Sequence, residues 1–227
     1  MNFGLITEGI SEHNIIKYLT ARYFRDDDPS FSSYVPKITN GKQADTGGWH
    51  KVLEACESDD LETYLIENEY LIIQIDTDMS QTSPFNVSHR MIGSEDIEID
   101  KPLEVLHKEV VEALQKRIPI EIWEKYKEKI VFAICIHTIE CWLLPAVYTD
   151  ENKSAINNCL KRLNRGISKK LNVRPITDKN IEQRIKTYDS ILRLYKKKKD
   201  LKDASFKNFG FQKFVESLEI IDSQKSI

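Results

Sequence analysis

The sequence lacks the features that mark secreted, membrane-spanning and zinc-binding proteins. Its four cysteines, Cys56, Cys135, Cys141 and Cys159, form no CxxC or CxxH pair, which argues against a structural zinc site. Its longest apolar runs, YLIIQI and IVFAICI, are far shorter than the roughly 20 residues that span a bilayer. The first residues, MNFGLIT, include no basic segment followed by an apolar one, so we expect no signal peptide and a cytoplasmic protein. We expect Cys135 and Cys141 to be small, reduced core residues.

Nucleotide-binding motifs and internal repeats are also absent from the sequence. Neither GxxxxGK[ST] nor GxGxxG occurs, so no cofactor beyond a metal ion is indicated. The 227 residues, 41% of them hydrophobic and 30% charged, are typical of one medium-sized globular domain, or of one domain with a helical appendage.

Charge is distributed unevenly along the chain. Residues 153–202 contain 16 lysines and arginines but four aspartates and glutamates, whereas the whole chain has a net charge of −3. This asymmetry indicates an acidic part joined to a basic part that could bind the phosphates of nucleic acid. The alternative is that these residues form ordinary solvated, lysine-rich helices.

Strand-like and helix-like segments alternate over the first two thirds of the chain. Apolar runs predict strands at residues 3–7, 34–38, 70–75 and 130–136. Helical periodicity predicts helices from Ser11 onward and at residues 49–56, 102–116 and 120–129, and residues 84–100 are expected to be a polar loop. This order predicts an α/β fold with a mainly parallel sheet flanked by helices. Everything from residue 152 onward is expected to be helical.

Three acidic residues follow predicted strands. Glu8 comes after the first strand, and Gly9 permits a tight turn behind it. Asp76 and Asp78 follow the strand at residues 70–75, and residues two apart on a strand project to the same side. Ligands of open parallel sheets bind at this edge, so we expect the three carboxylates to lie together.

Such a cluster predicts a metal site. At about 4 Å and an effective dielectric constant of about 20, each pair of bare carboxylates repels by roughly 4 kcal/mol. A divalent cation removes this repulsion, and an all-oxygen site without His or Cys suits Mg²⁺ or Mn²⁺ better than Zn²⁺.

These residues resemble the TOPRIM family, in which an apolar strand ending in EG precedes a second apolar strand ending in DxD. The matching segments are GLITEGISEHNII and LIIQIDTDMS. The later segment IECWLL is similar to small TOPRIM-like relatives of the overcoming-lysogenization-defect (OLD) nucleases, some of which are encoded beside ATPases in phage-defence loci. The resemblance covers about residues 1–150, which it identifies as a Rossmann-like, metal-binding catalytic domain. Residues 151–227 would then be a basic helical extension packed on or beside this domain.

The resemblance implies a Mg²⁺- or Mn²⁺-dependent nuclease that cleaves DNA or RNA, with an ATPase as a possible partner. Glu8 matches the family's metal-binding or acid–base glutamate, and Asp76 and Asp78 match its Mg²⁺-binding pair. Glu12 matches a further acid that is often found in the nuclease branch, and Glu140 matches the acid after the family's fourth strand. Topoisomerases and primases share the family, but this chain has no room for a topoisomerase gate domain and lacks a primase zinc module.

The basic residues expected to contact nucleic acid are Lys42, in a glycine-bearing loop, and a lysine run in the basic helical extension, which we call the tail. That lysine run consists of Lys196, Lys197, Lys198 and Lys199.

Several site residues have a second interpretation. Glu12 could simply favour the helix dipole behind an N-capping Ser11, and Glu140 could do the same for its own helix. Asp76 and Asp78 could be turn-forming acids. His13 and His137 are more typical of hydrogen-bonded core histidines than of ligands, and Ser80 could assist a second metal ion.

Two rival functions share the same site. One is a primase-like nucleotidyl transferase, which would need a triphosphate pocket that no motif indicates. The other is a non-catalytic TOPRIM module that regulates or recruits an ATPase.

Overall fold

A computed structural model of the chain describes residues 1–39, 41–93, 97–177 and 180–224, without the side chain of Asp26. The elements of the first half are β1 (Asn2–Ile6), α1 (Ile10–Tyr23), β2 (Ser30–Val35), β3 (Ile38–Thr39), β4 (Lys42–Gln43), α2 (Trp49–Glu57), α3 (Asp60–Glu67), β5 (Tyr70–Asp76), β6 (Arg90–Ile92) and β7 (Glu98–Asp100). Those of the second half are α4 (Leu103–Gln115), α5 (Ile120–Tyr126), β8 (Ile130–Cys135), α6 (Glu140–Val147), α7 (Cys159–Lys170), α8 (Ile181–Leu192), α9 (Lys198–Ser205) and α10 (Phe209–Gln224).

Four strands form the central sheet in the order β2-β1-β5-β8, and every pair is parallel. The inner strands β1 and β5 are almost entirely buried and mostly apolar, because helices cover both faces of the sheet. Short two-stranded sheets, β3-β4 and β6-β7, lie outside it. The predicted α/β class with a parallel sheet and a helical C-terminal part is confirmed.

Each face of the sheet carries its own hydrophobic cluster. On one face α1 and α6 to α10 pack together, and Trp142 stacks on Phe211 and Phe214 with ring centroids 5.0 and 5.4 Å apart. On the other face α2 to α5 cover side chains such as Leu71 and Ile73. No helix within the described ranges is both long and apolar enough to cross a membrane.

Some predicted boundaries are wrong. The second strand spans Ser30–Val35 instead of residues 34–38, since an edge strand with one solvent-facing side is polar (SFSSYV) and gives no apolar run. Residues 84–100 are not simply a loop, because β6 and β7 form a hairpin there; residues 94–96 lie outside the described residues. The helix α3 was not predicted.

The expectation of a reduced Cys141 is also wrong. Cys141 forms a disulfide with Cys159, with Cα atoms 5.0 Å apart, which joins the start of α6 to the start of α7. The two cysteines are 18 residues apart in sequence, and only the packing of α7 on α6 brings them together. Cys135 is free and buried, as predicted.

Candidate metal centre

Three neighbouring strands of the sheet end at one edge, and each leads into an acidic residue. β1 is followed by Glu8, β5 ends at Asp76, and the turn after β8 leads to Glu140. Because β5 pairs with both β1 and β8, their carboxyl ends are adjacent. The structure therefore places these three residues at the same edge.

The side chain of Gln74 holds Glu8 and Asp76 together. The backbone N–H of Glu8 donates to Gln74 Oε1 (3.2 Å), and Gln74 Nε2 donates to Asp76 Oδ1 (2.9 Å). In return, the N–H of Asp76 donates to Glu8 Oε1 (2.7 Å). Gln74 is fully buried, and a buried amide is stable only when it is hydrogen-bonded. Gln74 is not among the predicted site residues, although a glutamine within the apolar run LIIQI is a signal that could have identified it.

Asp76 lies where a negative charge is unfavourable. Burial raises the pKa of Asp76 well above its usual range, and four neighbouring carboxylates raise it further, namely Glu8, Glu12, Glu140 and Asp78. Without a cation, taking up a proton is the way for this carboxyl group to avoid that repulsion.

The environment of Glu8 also disfavours the ionised form. Burial raises the pKa of Glu8 to about 8, and the charges of Glu12 and Asp78 contribute to the increase, although the hydrogen bond from the Asp76 N–H opposes it. A carboxyl group with such a pKa can bind or release a proton near neutral pH.

Asp78 reaches the cluster by a different route from the one predicted. The strand ends at Asp76, so the alternation of side chains does not orient Asp78. Instead, the N–H groups of Thr77 and Asp78 donate to the carbonyl of His137 (3.0 and 3.1 Å), and the His137 N–H donates to Thr77 Oγ1 (2.8 Å). These bonds join the turns after β5 and β8. Partial burial of the Asp78 carboxyl group raises its pKa, and the charge of Glu140 raises it further.

Glu12 lies in the first turn of α1. The helix has Gly9 as its N-cap, so the interpretation of Ser11 as the capping residue is wrong. Ser11 is buried, and its Oγ accepts a hydrogen bond from Arg184 Nε (2.7 Å). Arg184 Nη2 lies 3.9 Å from Glu12 Oε1. Burial raises the pKa of Glu12, whereas its own N–H and Arg184 lower it.

Glu140 is the first residue of α6 and is held from two sides. The N–H of Ile139 donates to Asp76 Oδ2 (3.3 Å), which ties the start of α6 to the end of β5. The hydroxyl of Tyr188, on α8, donates to Glu140 Oε1. Trp142 is fully buried two residues further on and anchors the same turn.

Four of the five carboxylates line one cavity of about 640 Å³, namely Glu12, Asp76, Asp78 and Glu140. Glu8 lies behind them, bonded to the N–H of Asp76. The opposite wall comes from the start of α7 and the residue before it, and includes Asn158, Lys161 and Asn164. The acidic cavity, as we call it, thus has one wall from the basic tail.

Among the other predicted residues, His137 lines the acidic cavity, and burial lowers its pKa. Lys42 is exposed in β4 and does not line the cavity. The Ser80 hydroxyl donates to the Val87 carbonyl (2.8 Å), within its own loop. His13 Nε2 lies 3.1 Å from a hydroxyl of β2, and His13 does not line the cavity.

The lysine run Lys196, Lys197, Lys198 and Lys199 lies at the far end of α1 from the acidic cavity. Lys198 Nζ forms an ion pair with Asp222 (2.5 Å) and lies 4.0 Å from the ring centroid of Tyr23. Tyr23 ends α1, whereas Glu12 is near its start, roughly 16 Å away along the helix axis. The structure does not bring the run to the carboxylates.

Three residues of the tail line the acidic cavity or contact its carboxylates, and none of them was predicted individually: Lys161, Arg184 and Tyr188. For Lys161 and Arg184 the only signal in the sequence is the excess of positive charge over residues 153–202, which does not distinguish them from their neighbours, and Tyr188 has no such signal.

The ligand atoms of the carboxylate cluster are all oxygens, which is the type that Mg²⁺ and Mn²⁺ prefer. Within the described part of the chain, no three His, Cys, Asp or Glu side chains are grouped so that they could hold an ion as they stand. Both oxygens of Asp76 and one of Glu8 accept hydrogen bonds from N–H groups instead. The side chains would therefore have to turn toward a cation to bind it.

No family model, curated protein or solved structure matches this chain. Its function is therefore inferred from the residues of the acidic cavity.

Proposed function

We propose that this protein is a Mg²⁺-dependent phosphodiesterase that cleaves nucleic acid. The observation that carries the proposal is the convergence of Glu12, Asp76, Asp78 and Glu140 on one cavity, with Glu8 directly behind Asp76. Raised pKa values at Glu8, Asp76 and Asp78 support it, since a cluster of repelling carboxylates is what a divalent cation stabilises. The resemblance to TOPRIM nucleases points to the same residues.

Asp76, Asp78 and Glu8 are the residues that would hold the cation. A divalent cation held there would supply Lewis-acid chemistry, which would offset the negative charge of the phosphodiester and lower the pKa of a bound water. Gln74 fixes Glu8 beside Asp76 through its two hydrogen bonds. The pKa of Glu8, at about 8 in the free protein, allows it to exchange a proton near neutral pH.

The other two carboxylates are each positioned by α8. Arg184 partly neutralises Glu12, and Tyr188 donates to Glu140. Lys161, on the opposite wall, provides a positive charge that can bind a phosphate of the substrate.

A cleavage assay tests the proposal. Purified protein is incubated with end-labelled single-stranded and duplex DNA and RNA, in Mg²⁺, in Mn²⁺ or in EDTA. We expect cleavage in either metal and none in EDTA. Intact substrate under all of these conditions would contradict the proposal.

The two rivals give different results. A primase-like transferase would instead incorporate labelled nucleotides on a template. A regulatory module with a degenerate site would bind no Mg²⁺ in a calorimetric titration, whereas the proposed enzyme is expected to bind it.

Replacing Glu140 with glutamine is expected to reduce cleavage by about 10²-fold or more with little change in melting temperature. Glutamine keeps an oxygen that can accept the Tyr188 hydroxyl, so only the charge is lost. Glu151→Gln is the control, because Glu151 is exposed and outside the acidic cavity. If Glu140→Gln cleaves normally, Glu140 only stabilises the start of α6.

A further inference from the structure

We infer that one strand of nucleic acid reaches the acidic cavity along α7, where Lys161, Arg165 and Lys169 bind successive phosphates. This inference rests on the proposed function, and it identifies the path of the substrate. We call these three residues the α7 stripe.

The charged residues of the segment that contains the α7 stripe are all positive. Between Glu151 and Asp178 the sequence contains seven lysines and arginines and no aspartate or glutamate. Such a segment has a positive potential that attracts anions, and nucleic acid presents its phosphates as an extended row of negative charges.

The stripe residues are four positions apart, so they lie on one face of the helix about 6 Å from one another along its axis. This step is comparable to the spacing of phosphates along a strand. All three side chains are exposed, whereas Leu163 and Ile167 on the other face are buried.

The stripe is available for a ligand. Within the described residues, Lys161, Arg165 and Lys169 take part in no ion pair. Other cations of the segment have intramolecular partners: Arg162 donates to the side-chain oxygen of Asn152 (2.6 Å), and Lys170 donates to a carbonyl of α6 (3.0 Å).

The stripe is continuous with the acidic cavity. A second cavity of about 210 Å³ is lined by Asn158, Lys161, Arg162 and Arg165. Asn158 and Lys161 also line the acidic cavity, so the two cavities share a wall. A strand bound along α7 would therefore pass from Arg165 to Lys161 and reach the carboxylates.

The position of α7 is fixed by tight packing on α6. A Cβ atom on Gly166 would lie 2.5 Å from Val147 Cγ1, so only glycine allows this approach. The Tyr148 hydroxyl donates to the carbonyl of Arg162 (2.7 Å), and the Cys141–Cys159 disulfide joins the two helix starts. A surface held this rigidly can guide a strand into one register.

Comparing two charge-matched triple variants tests the inference. One carries Lys161→Gln, Arg165→Gln and Lys169→Gln, and the other carries Lys196→Gln, Lys197→Gln and Lys199→Gln. Binding of a fluorescent single-stranded oligonucleotide is measured by anisotropy at several salt concentrations, with Ca²⁺ replacing Mg²⁺ to prevent cleavage. Melting temperatures verify that both variants fold.

We expect the α7 variant to lose about 2 units of slope in log K against log salt, because three phosphate contacts contribute about 0.7 each on a single strand. Its affinity at about 50 mM salt should fall on the order of tenfold or more. The lysine-run variant should bind like the wild type. If the α7 variant melts early, Arg165→Gln alone should still lose about a third of this slope change.

The inference is overturned if the salt dependence of binding decreases in the lysine-run variant and stays unchanged in the α7 variant. It is also overturned if both variants bind like the wild type. The proposed function is judged separately by cleavage. If the wild type cleaves nucleic acid but the α7 variant binds it as tightly as the wild type does, only the proposed path of the substrate is disproved. Binding through the stripe without cleavage in any metal would disprove only the nuclease.

Discussion

Replacing Asp78 with asparagine is expected to reduce Mg²⁺-dependent cleavage on the order of 10³-fold or more, and to leave the fold intact. Asp78 is exposed at the cavity, and its backbone N–H rather than its carboxylate ties the turn to His137. Asparagine preserves that backbone bond and removes one negative charge. Because burial and the charge of Glu140 both disfavour the ionised form of Asp78, the metal-free variant should be as stable as the wild type or slightly more stable.

The same loss of cleavage is expected for Asp76→Asn, but this variant should also lose a hydrogen bond and be less stable. Both carboxylate oxygens of Asp76 accept hydrogen bonds, from Gln74 Nε2 and from the Ile139 N–H. An asparagine would place its NH₂ group against one of these donors. Asp78→Asn is therefore the cleaner test.

Single-turnover cleavage and thermal unfolding of both variants provide the measurements. Asp59→Asn is the matched control, since Asp59 is exposed, its side chain makes no capping hydrogen bond, and it lies outside the acidic cavity. Normal cleavage by both Asp76→Asn and Asp78→Asn would remove this cluster from consideration as an active site.

The second large expected effect is a change in the free energy of unfolding with pH. The pKa of Glu8 is about 8 in the folded protein against 4.5 normally. Below pH 4.5 the folded and unfolded states both hold this proton. Between pH 4.5 and 8 the folded state keeps a proton that the unfolded state has lost, so stability falls as pH rises through this window. The expected loss in the metal-free protein is on the order of a few kcal/mol, and Asp76 acts in the same direction.

Melting temperatures in EDTA at several pH values measure this loss. Glu8→Gln should flatten the profile, because glutamine resembles the protonated acid and its oxygen can still accept the Asp76 N–H. Adding Mg²⁺ should raise the wild-type melting temperature most at the upper end of the window, and should have little effect on Asp78→Asn. If the melting temperature of the wild type in EDTA does not change between pH 4.5 and 8, the pKa of Glu8 is not raised in the folded protein.

Much of the fold follows from local patterns. The apolar runs of β1, β5 and β8 predict buried strands because both faces of the inner sheet are covered. The edge strand β2 was misplaced since its polar, half-exposed sequence is not distinguishable from a loop. Glu8, Asp76 and Glu140 could be anticipated as neighbours because parallel strands bring their carboxyl ends to one edge.

What the amino-acid sequence determined by itself is therefore the α/β class, the positions of the acids after the strands and the basic character of the tail. Each depends on residue type and short-range spacing. Tertiary packing alone decided that Gln74 joins Glu8 to Asp76, that Arg184 and Tyr188 meet Glu12 and Glu140, and that Cys141 pairs with Cys159. It also placed Lys161 at the acidic cavity and the lysine run at the far end of α1. The physical reason is that these contacts join side chains distant in sequence, whose meeting depends on how whole helices dock on the sheet.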